Sequence, residues 1–433
     1  MYIQILFAII IAIYLTLTAY VKITYKFWAN QPIFHYHNIL YWVSNDGIIQ
    51  HKLPEKNKFC NFTQITTTEL NKCVDITPES RDIAQFLRDH YIREHDSVYN
   101  ATANHIQTCF NGHKSIDKQG TCFASIMWEQ SNDTIIGTMT TRPLFTTIRK
   151  RKMVAYYVEH LCVHSDKRHK HVATSLIQTH EYRQRHAAPH IQISLFKREG
   201  ALLGIVPLVS FTSHVFQIKP NTYNHTQTPY SKHIRFVAVL PKRSNVTNVT
   251  TVTTDTNVTT DTNVTNVTTD TTFQRHSNDI IQFIHQIQPQ FEAFIVPYKG
   301  NIIAQIKEQI IHVFLLYDES IVPPIPASIF IFKNIETTHT VNSQQLKCAE
   351  LVISFHNQSI SPTDFQNAFD EAVAYMATEF GSIIIEPIAH NTIILPYAMT
   401  NPKLEKYSEH NTAFFLYNYA AKPIAASKTF ILT

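Results

Sequence analysis

The sequence predicts a mixed α/β chain of the α+β class, with largely antiparallel sheet in two successive halves, and three observations predict it. Runs rich in β-branched and aromatic residues alternate with stretches whose apolar residues recur at helical spacing. A tract of Asn, Val, Thr and Asp at residues 245–272 contains nothing larger than Val. It cannot bury enough surface to offset the entropy of ordering it, and it reads as a disordered insertion. The tract divides the chain into 22–244 and 273–433, each long enough for a core of its own, and 433 residues exceed what one ordinary core serves.

At the amino end, residues 1–21 carry no charged side chain and supply the ~20 apolar residues that cross a bilayer. No basic residue precedes the run, and it is long for a cleaved leader, so it reads as an uncleaved anchor; a signal peptide is the competing reading. Lys22 and Lys26 follow it, which by the positive-inside rule puts the main domain of a single-pass membrane protein on the cytosolic side. Ten Asn-x-Ser/Thr sequons, among them Asn61, Asn100, Asn132, Asn224 and Asn357, would suit the opposite, glycosylated topology, although half of them arise from the repetitive tract.

In the first half, Thr134–Arg142 and Val154–His164 read as strands, Val172–Arg185 as a helix with Val172, Leu176 and Ile177 on one face, and His190–Phe196 as a further strand. In the second half, Val313–Leu316, Ser328–Phe332 and Leu351–Phe355 read as strands, Thr363–Glu379 as a helix and Ser382–Glu386 as a strand. Phe414–Tyr419 and the apolar Thr429–Thr433 close the chain as strands.

Composition narrows the function. An apolar fraction of 44%, with 27 Phe and 20 Tyr, fits a folded, aromatic-rich interior. A net charge of +4 gives no sign of a nucleic-acid partner. Cys60, Cys73, Cys109, Cys122, Cys162 and Cys348 form no CxxC pair, so they read as reduced and structural rather than as a zinc site. His35 with His37, or His164 with His169 and His171, could be spaced as ligands, but 24 His make such spacings common and no metal is expected. With only 8 Gly, backbone positions of positive φ must fall to Asn, Asp or His.

The chemistry concentrates in Met153–Thr179, where a strand ending in Leu161-Cys162-Val163-His164 leads through a basic loop into a helix. Main-chain N–H groups at a helix start, reinforced by Arg168, Lys170 and neighbouring His169 and His171, suit the pyrophosphate of a CoA-type ligand; an ordinary solvated turn is the bland alternative. The same order of strand, basic loop and helix resembles the acyl-CoA site of the GNAT-type acetyltransferase fold.

Read with its neighbours, this stretch is similar to the core signature of the N-myristoyltransferases. Lys152, Met153, Val154, Leu161, Cys162, Val163, His164, Arg168, Lys170, Val172, Ala173, Leu176 and Ile177 match it. Phe27, Trp28, Gln31 and Pro32 resemble the block that opens the family's folded region, and Ile48–Phe59 the segment after it. Asn401–Tyr407 resembles a leucine-glutamate-lysine helix and Phe415–Tyr419 a leucine-tyrosine-asparagine strand. The resemblance implies two tandem, pseudo-symmetric acetyltransferase-like halves on one continuous mixed sheet, the first binding acyl-CoA and the second supplying the peptide groove. It implies no permanent cofactor, myristoyl-CoA as co-substrate, and the N-terminal glycine amine of peptides or proteins as acceptor.

Carried over residue by residue, Phe27, Trp28, Leu161, Cys162, Val163, Arg168, His169, Lys170, His171, Val172 and Ala173 would hold acyl-CoA. The main-chain amides of His160 and Leu161 would receive the oxyanion, and the α-carboxylate of Thr433 would take the amine proton. Glu159 and His160 stand where the family has asparagine and phenylalanine, so Glu159 either repels the Thr433 carboxylate or itself serves as base. Lys197–Gly200 and Ser408–Thr412 also depart from the pattern, on the peptide side. A catalytically inactive acyl-CoA- or protein-binding relative, or a transferase for another acyl chain or acceptor, is therefore the alternative.

Overall fold

The computed structural model describes residues 2–70, 75–91, 93–94, 97–113, 121–130, 133–200, 204–219, 230–231, 233–241, 270–341 and 343–433. Most of the Asn-Val-Thr tract lies outside these residues, as do Cys73 and the sequons at Asn132 and Asn224; its last three residues, Asp270–Thr272, open a helix.

Helix α1 (Tyr2–Thr24) leads to the short α2 (Ile39–Val43), strands β1 (Gly47–Ile48) and β2 (Ile65–Glu69), and helix α3 (Pro78–His90). Short strands β3 (Arg93–Glu94) and β4 (Ser97–Tyr99) precede α4 (Ala103–Phe110). Then come β5 (Phe123–Trp128), β6 (Ile135–Ile148), β7 (Arg151–Val163), α5 (Val172–Ala187), β8 (Ile193–Glu199), β9 (Val209–Ile218) and β10 (Ile234–Val239). The second part runs through α6 (Asp270–Ile287), β11 (Ala293–Val296), α7 (Lys299–Lys307), β12 (Ile311–Asp318), β13 (Ile325–Val341) and β14 (Gln344–His356). It ends with α8 (Pro362–Met376), β15 (Ser382–Ile385), α9 (Asn391–Thr400), β16 (Leu404–Tyr417), β17 (Tyr419–Ala420) and β18 (Thr429–Ile431).

Sixteen of these strands join one mixed sheet whose main path is β10-β12-β13-β14-β15-β9-β16-β8-β7-β6-β11-β18. Most neighbours are antiparallel; β7–β8, β14–β15 and β11–β18 are parallel. Parallel neighbours need a crossover, and the chain makes it twice with one motif: hairpin β6–β7, helix α5, strand β8, then hairpin β13–β14, helix α8, strand β15. The two copies exchange strands. β9 of the first part pairs with β15 of the second, while β11 of the second pairs with β6 of the first. Their largest core is accordingly common to both, running from Leu144 and Leu195 to Ile353 and Phe430.

One expectation fails locally. Leu404–Lys406 is the start of β16 and not a helix: α9 ends at Thr400, and Leu404 pairs with Ile218 on β9, where its side chain is buried. All the other sequence-marked strands and helices are present, mostly longer than the pattern indicated.

Helix α1 has 23 residues, and among the described residues it alone is long and apolar enough to span a bilayer. Of its side chains only Val21 is buried. Beyond it, Tyr25 packs beneath Gly204, where a Cβ would stand 2.7 Å from the ring, so the chain enters the domain through a contact only glycine allows.

Candidate active site

Parallel pairing between β7 and β8 lasts only from Ala155 and Ile193 to Val158 and Phe196; β7 continues to Val163 and β8 to Glu199 without a ladder between them. The opening has two distinct flanks. On the β7 side, Leu161 and Val163 pack with Val172 and Leu176 of α5. This close approach depends on Gly137 of β6, where a Cβ would lie 2.6 Å from Leu176. On the β8 side, Trp28 stacks on Phe196 with ring centroids 5.5 Å apart, Phe196 stacks on Phe415 at 5.4 Å, and Phe27 meets Trp28 edge-on.

The basic loop turns into α5 through two left-handed residues, His169 (φ 63°) and His171 (φ 62°). Histidine here takes conformations that glycine usually supplies, as the glycine-poor composition suggested. His171 is the N-cap residue yet makes no side-chain cap, and no acid occupies the first turn, so this positive helix end lacks a side-chain counter-charge of its own. Arg168, His169, Lys170 and His171 are exposed around it and Ala173 is half-buried. Arg168 lies away from the centre of the loop, its guanidinium donating to the His90 carbonyl at 2.8 Å. Burial pushes the Cys162 thiol up to about 12, so it serves as an apolar wall and not as a nucleophile.

Further along β7 the ladder with β6 slips: Thr138 faces Cys162 and Thr140 faces Glu159, leaving His160 and Leu161 opposite Met139 alone. This is a β-bulge. His160 takes φ 56°, and two threonines pin the turn, Thr138 Oγ1 donating to the His160 carbonyl at 3.0 Å and Thr140 Oγ1 to the Glu159 carbonyl at 3.2 Å. The His160 Nδ1 lies 2.8 Å from Thr140 Oγ1, and burial draws its imidazole down to about 4, so the ring is neutral at physiological pH.

Glu159 does not stand alone against Thr433. The Arg142 Nε donates to its carboxylate at 2.8 Å, and the Lys333 Nζ lies 3.7 Å away. That same Nζ donates to the main-chain oxygen of Thr433 at 2.9 Å. Arg142 is 1% exposed and Thr433 8%, so this is a dry constellation. Burial by itself would raise the Glu159 carboxyl, but Arg142 and Lys333 outweigh it and hold the group far below the usual carboxylate range. Of the two alternatives the sequence left for Glu159, repulsion of Thr433 or service as base, the first meets a cation lying between the two acids.

Lys333 of β13 stands directly opposite Glu350 of β14, and there a second set of charges begins. The Lys197 Nζ lies 3.2 Å from Glu350 and 2.8 Å from Glu386, and Ser213 Oγ donates to Glu386 at 3.3 Å. Glu350 and Glu386, both buried, thus converge on one ammonium. Burial, with Glu350 next, raises Glu386 to about 8, while Lys197 and Lys333 overcome the burial of Glu350 and lower it. From Arg142 to Glu386 the signs alternate across five strands and the residue that follows β15. Sequence reading missed Arg142, Lys333, Glu350 and Glu386. The available signal was a single charge set into an otherwise apolar strand, as in Ile329–Lys333 and Ala349–Phe355, since such charges are rarely buried unless paired.

Residues 54–199 match the family model described as myristoyl-CoA:protein N-myristoyltransferase, N-terminal domain. No curated protein matches the chain by sequence. Among solved structures, the chain is similar to Saccharomyces cerevisiae N-myristoyltransferase with bound myristoyl-CoA, at 13% identity and a TM-score of 0.65, covering 94% of this chain and 99% of that one. A second structure of the yeast enzyme with myristoyl-CoA gives 14% identity and a TM-score of 0.64 over 94% of each chain. A third, with myristoyl-CoA and inhibitors, gives 14% and 0.63 over 97% of this chain and 99% of that one. At such identities the structures speak for the fold alone, and the family model matches the segment that contains the crossover and its bulge.

Proposed function

We propose that the chain is a membrane-anchored acyltransferase that moves myristate from myristoyl-CoA to the N-terminal glycine amine of proteins. One observation carries the reading: the bulge at His160–Leu161 lies beside Glu159, and the buried Thr433 is tied to that same Glu159 through Lys333.

In this reading the CoA moiety lies along the His169–Ala173 helix start, and the acyl chain enters the opening between Leu161, Cys162 and Val163 on one side and Phe27, Trp28 and Phe196 on the other. The glycine amine attacks the thioester carbonyl, forming the C–N bond. Negative charge moves to the carbonyl oxygen, where the main-chain N–H groups of His160 and Leu161 receive it. Collapse breaks the C–S bond and releases CoA as thiolate, while the proton lost by the amine passes to the α-carboxylate of Thr433. Glu159, engaged by Arg142 and Lys333, acts as a positioning group for that carboxylate. Helix α1 supports a single-pass anchor with the domain on the cytosolic side, where the lipidated product would be delivered.

A second reading, an acyl-CoA-binding relative without turnover, is favoured by the Lys333 contact, because an ammonium already occupies the proposed base. Full-length protein in detergent, titrated with myristoyl-CoA and then mixed with an N-terminal glycine peptide while CoA release is followed, separates the two. Peptide-dependent release supports the transferase; binding without release supports the second reading; absence of binding removes both. A different acyl chain or acceptor would appear as release with another acyl-CoA or with a peptide blocked at its amine.

A further inference from the structure

Four consecutive basic residues cluster at the end of the β6–β7 hairpin, Arg149 and Lys150 forming its turn and Arg151 and Lys152 opening β7, and the acyl-transfer reading gives them no role. Arg149 and Lys150 take left-handed conformations that project the tip, and Lys150, Arg151 and Lys152 are exposed. The hairpin is clamped to the loop that follows α2. Arg149 is ion-paired with Asp46 and donates to the Lys422 carbonyl at 3.0 Å, while Arg151 donates to the Asp46 carbonyl. Between hairpin and loop lies a cavity of about 290 Å³ bordered by Arg149, Arg151 and Lys422. Five cations gather there against two acids, Asp46 and Glu292, the latter 3.6 Å from Arg149.

Beside this basic surface the protein exposes apolar side chains that no other element covers among the described residues. Ile39, Leu40 and Val43 of α2 are 58%, 78% and 77% exposed, and Tyr36 is 53% exposed, with the Trp42 indole tied to its carbonyl at 3.1 Å. Only the link 25–38 separates α1 from α2, and within it His35 and His37 stack with ring centroids 5.2 Å apart.

We propose that α2 and the 149–152 hairpin lie on an anionic lipid bilayer, the apolar side chains seated among the headgroups and the cations paired with lipid acids. The inference rests on the anchor reading for its geometry: a helix whose last turn, with Lys22, lies in the cytosolic interface holds Leu40 and Val43 within reach of that interface, and the cytosolic leaflet carries the negative charge that the hairpin requires. Apolar contact combined with a polybasic patch is the pairing that holds a domain against a membrane instead of letting it swing on its tether.

Full-length protein is reconstituted into vesicles of phosphatidylcholine, with or without phosphatidylserine, extracted with alkaline carbonate, and followed by hydrogen exchange at residues 36–43 and 149–152. The expected result is carbonate-resistant insertion in both lipids, with slowed exchange of both segments only when phosphatidylserine is present. In the Lys150→Ala, Lys152→Ala double variant the protecting phosphatidylserine content rises, corresponding to about thirtyfold weaker contact, or roughly fivefold per basic residue lost. Resistant insertion with equal exchange in both lipids overturns the proposal and leaves the anchor standing. Carbonate extraction combined with salt-sensitive flotation on phosphatidylserine vesicles, lost in the double variant, removes the anchor and keeps the surface. Extraction without such flotation overturns both. Protection that grows with protein concentration in detergent assigns the face to a second copy and overturns the proposal.

Discussion

The two crossovers share one topology and differ at their openings. Between β7 and β8 the strands part after four paired residues, and the gap holds a bulge and a charged constellation leading to Thr433. Between β14 and β15 the parallel ladder also lasts four residues, but the gap is sealed. The Asn391 amide donates to the carbonyls of Leu351 at 2.9 Å, Val352 at 3.2 Å and Glu386 at 2.8 Å. The helix starts differ in the same sense. The first turn of α8 is closed by Ser361, which accepts from the Asp364 N–H at 3.0 Å, and by the Asp364 carboxylate, which also receives Ser231. That of α5 has neither cap nor acid. One sequence thus builds the motif once with an open gap and an uncapped helix start and once as a filled support.

Removing the partner that keeps the open copy charged should have the largest effect. Arg142→Met leaves the buried Glu159 with Lys333 alone, and loss of one member of a buried pair costs about 3–5 kcal/mol. Guanidinium unfolding of the detergent-solubilised protein should read this directly, and adding Glu159→Gln should recover most of it. Asn391→Ala, which opens the sealed copy, removes neutral hydrogen bonds and should cost less, about 1–3 kcal/mol. If Asn391→Ala proved the more damaging, the charged constellation would not be what organises the open copy.

Glu386 ties the two copies together through Lys197, and its proton gives a second probe. Its folded pKa, raised to about 8, lies above the unfolded value, so between about 5 and 8 the native state holds a proton that the unfolded state has lost. Stability should therefore fall as pH rises through that window, with a slope of at most about 1.4 kcal/mol per pH unit. Glu386→Gln should flatten this component in paired melting curves at pH 6 and pH 8. An unchanged slope would mean that Glu386 holds no extra proton in the folded state.

How much of this was legible in sequence follows from what kind of signal each feature leaves. The strands and helices around Met153–Thr179 declare themselves through periodicity, and a short motif is enough to mark the loop before Val172, because both are local. The bulge at His160 left a weaker trace: only a motif position, with nothing in the residue types to say that the register slips there. Arg142, Lys333, Glu350 and Glu386 left almost none, since they lie between 17 and 189 positions along the chain from the Glu159 or Lys197 they contact, and they meet only because the sheet aligns them. The helix expected at Leu404–Lys406 rested on a motif resemblance alone, and only pairing with β9 decides that the segment is a strand.

The smallest effects test the helix starts themselves. If the open end of α5 is an anion site, Arg168→Ala with Lys170→Ala should weaken myristoyl-CoA binding about tenfold, lost mainly as the salt-sensitive part of the affinity. Fold stability should stay nearly unchanged, because both side chains are exposed. Ser361→Ala at the start of α8 should do the reverse, lowering stability by about 1 kcal/mol through the lost cap while leaving acyl-CoA binding intact. Calorimetric titration and thermal melting of the same two variants give all four numbers. Crossed outcomes are required, because equal losses of binding in both variants would mean that the two crossovers respond as one body, and the contrast between an open and a sealed copy would then lie in their side chains without governing what the protein binds.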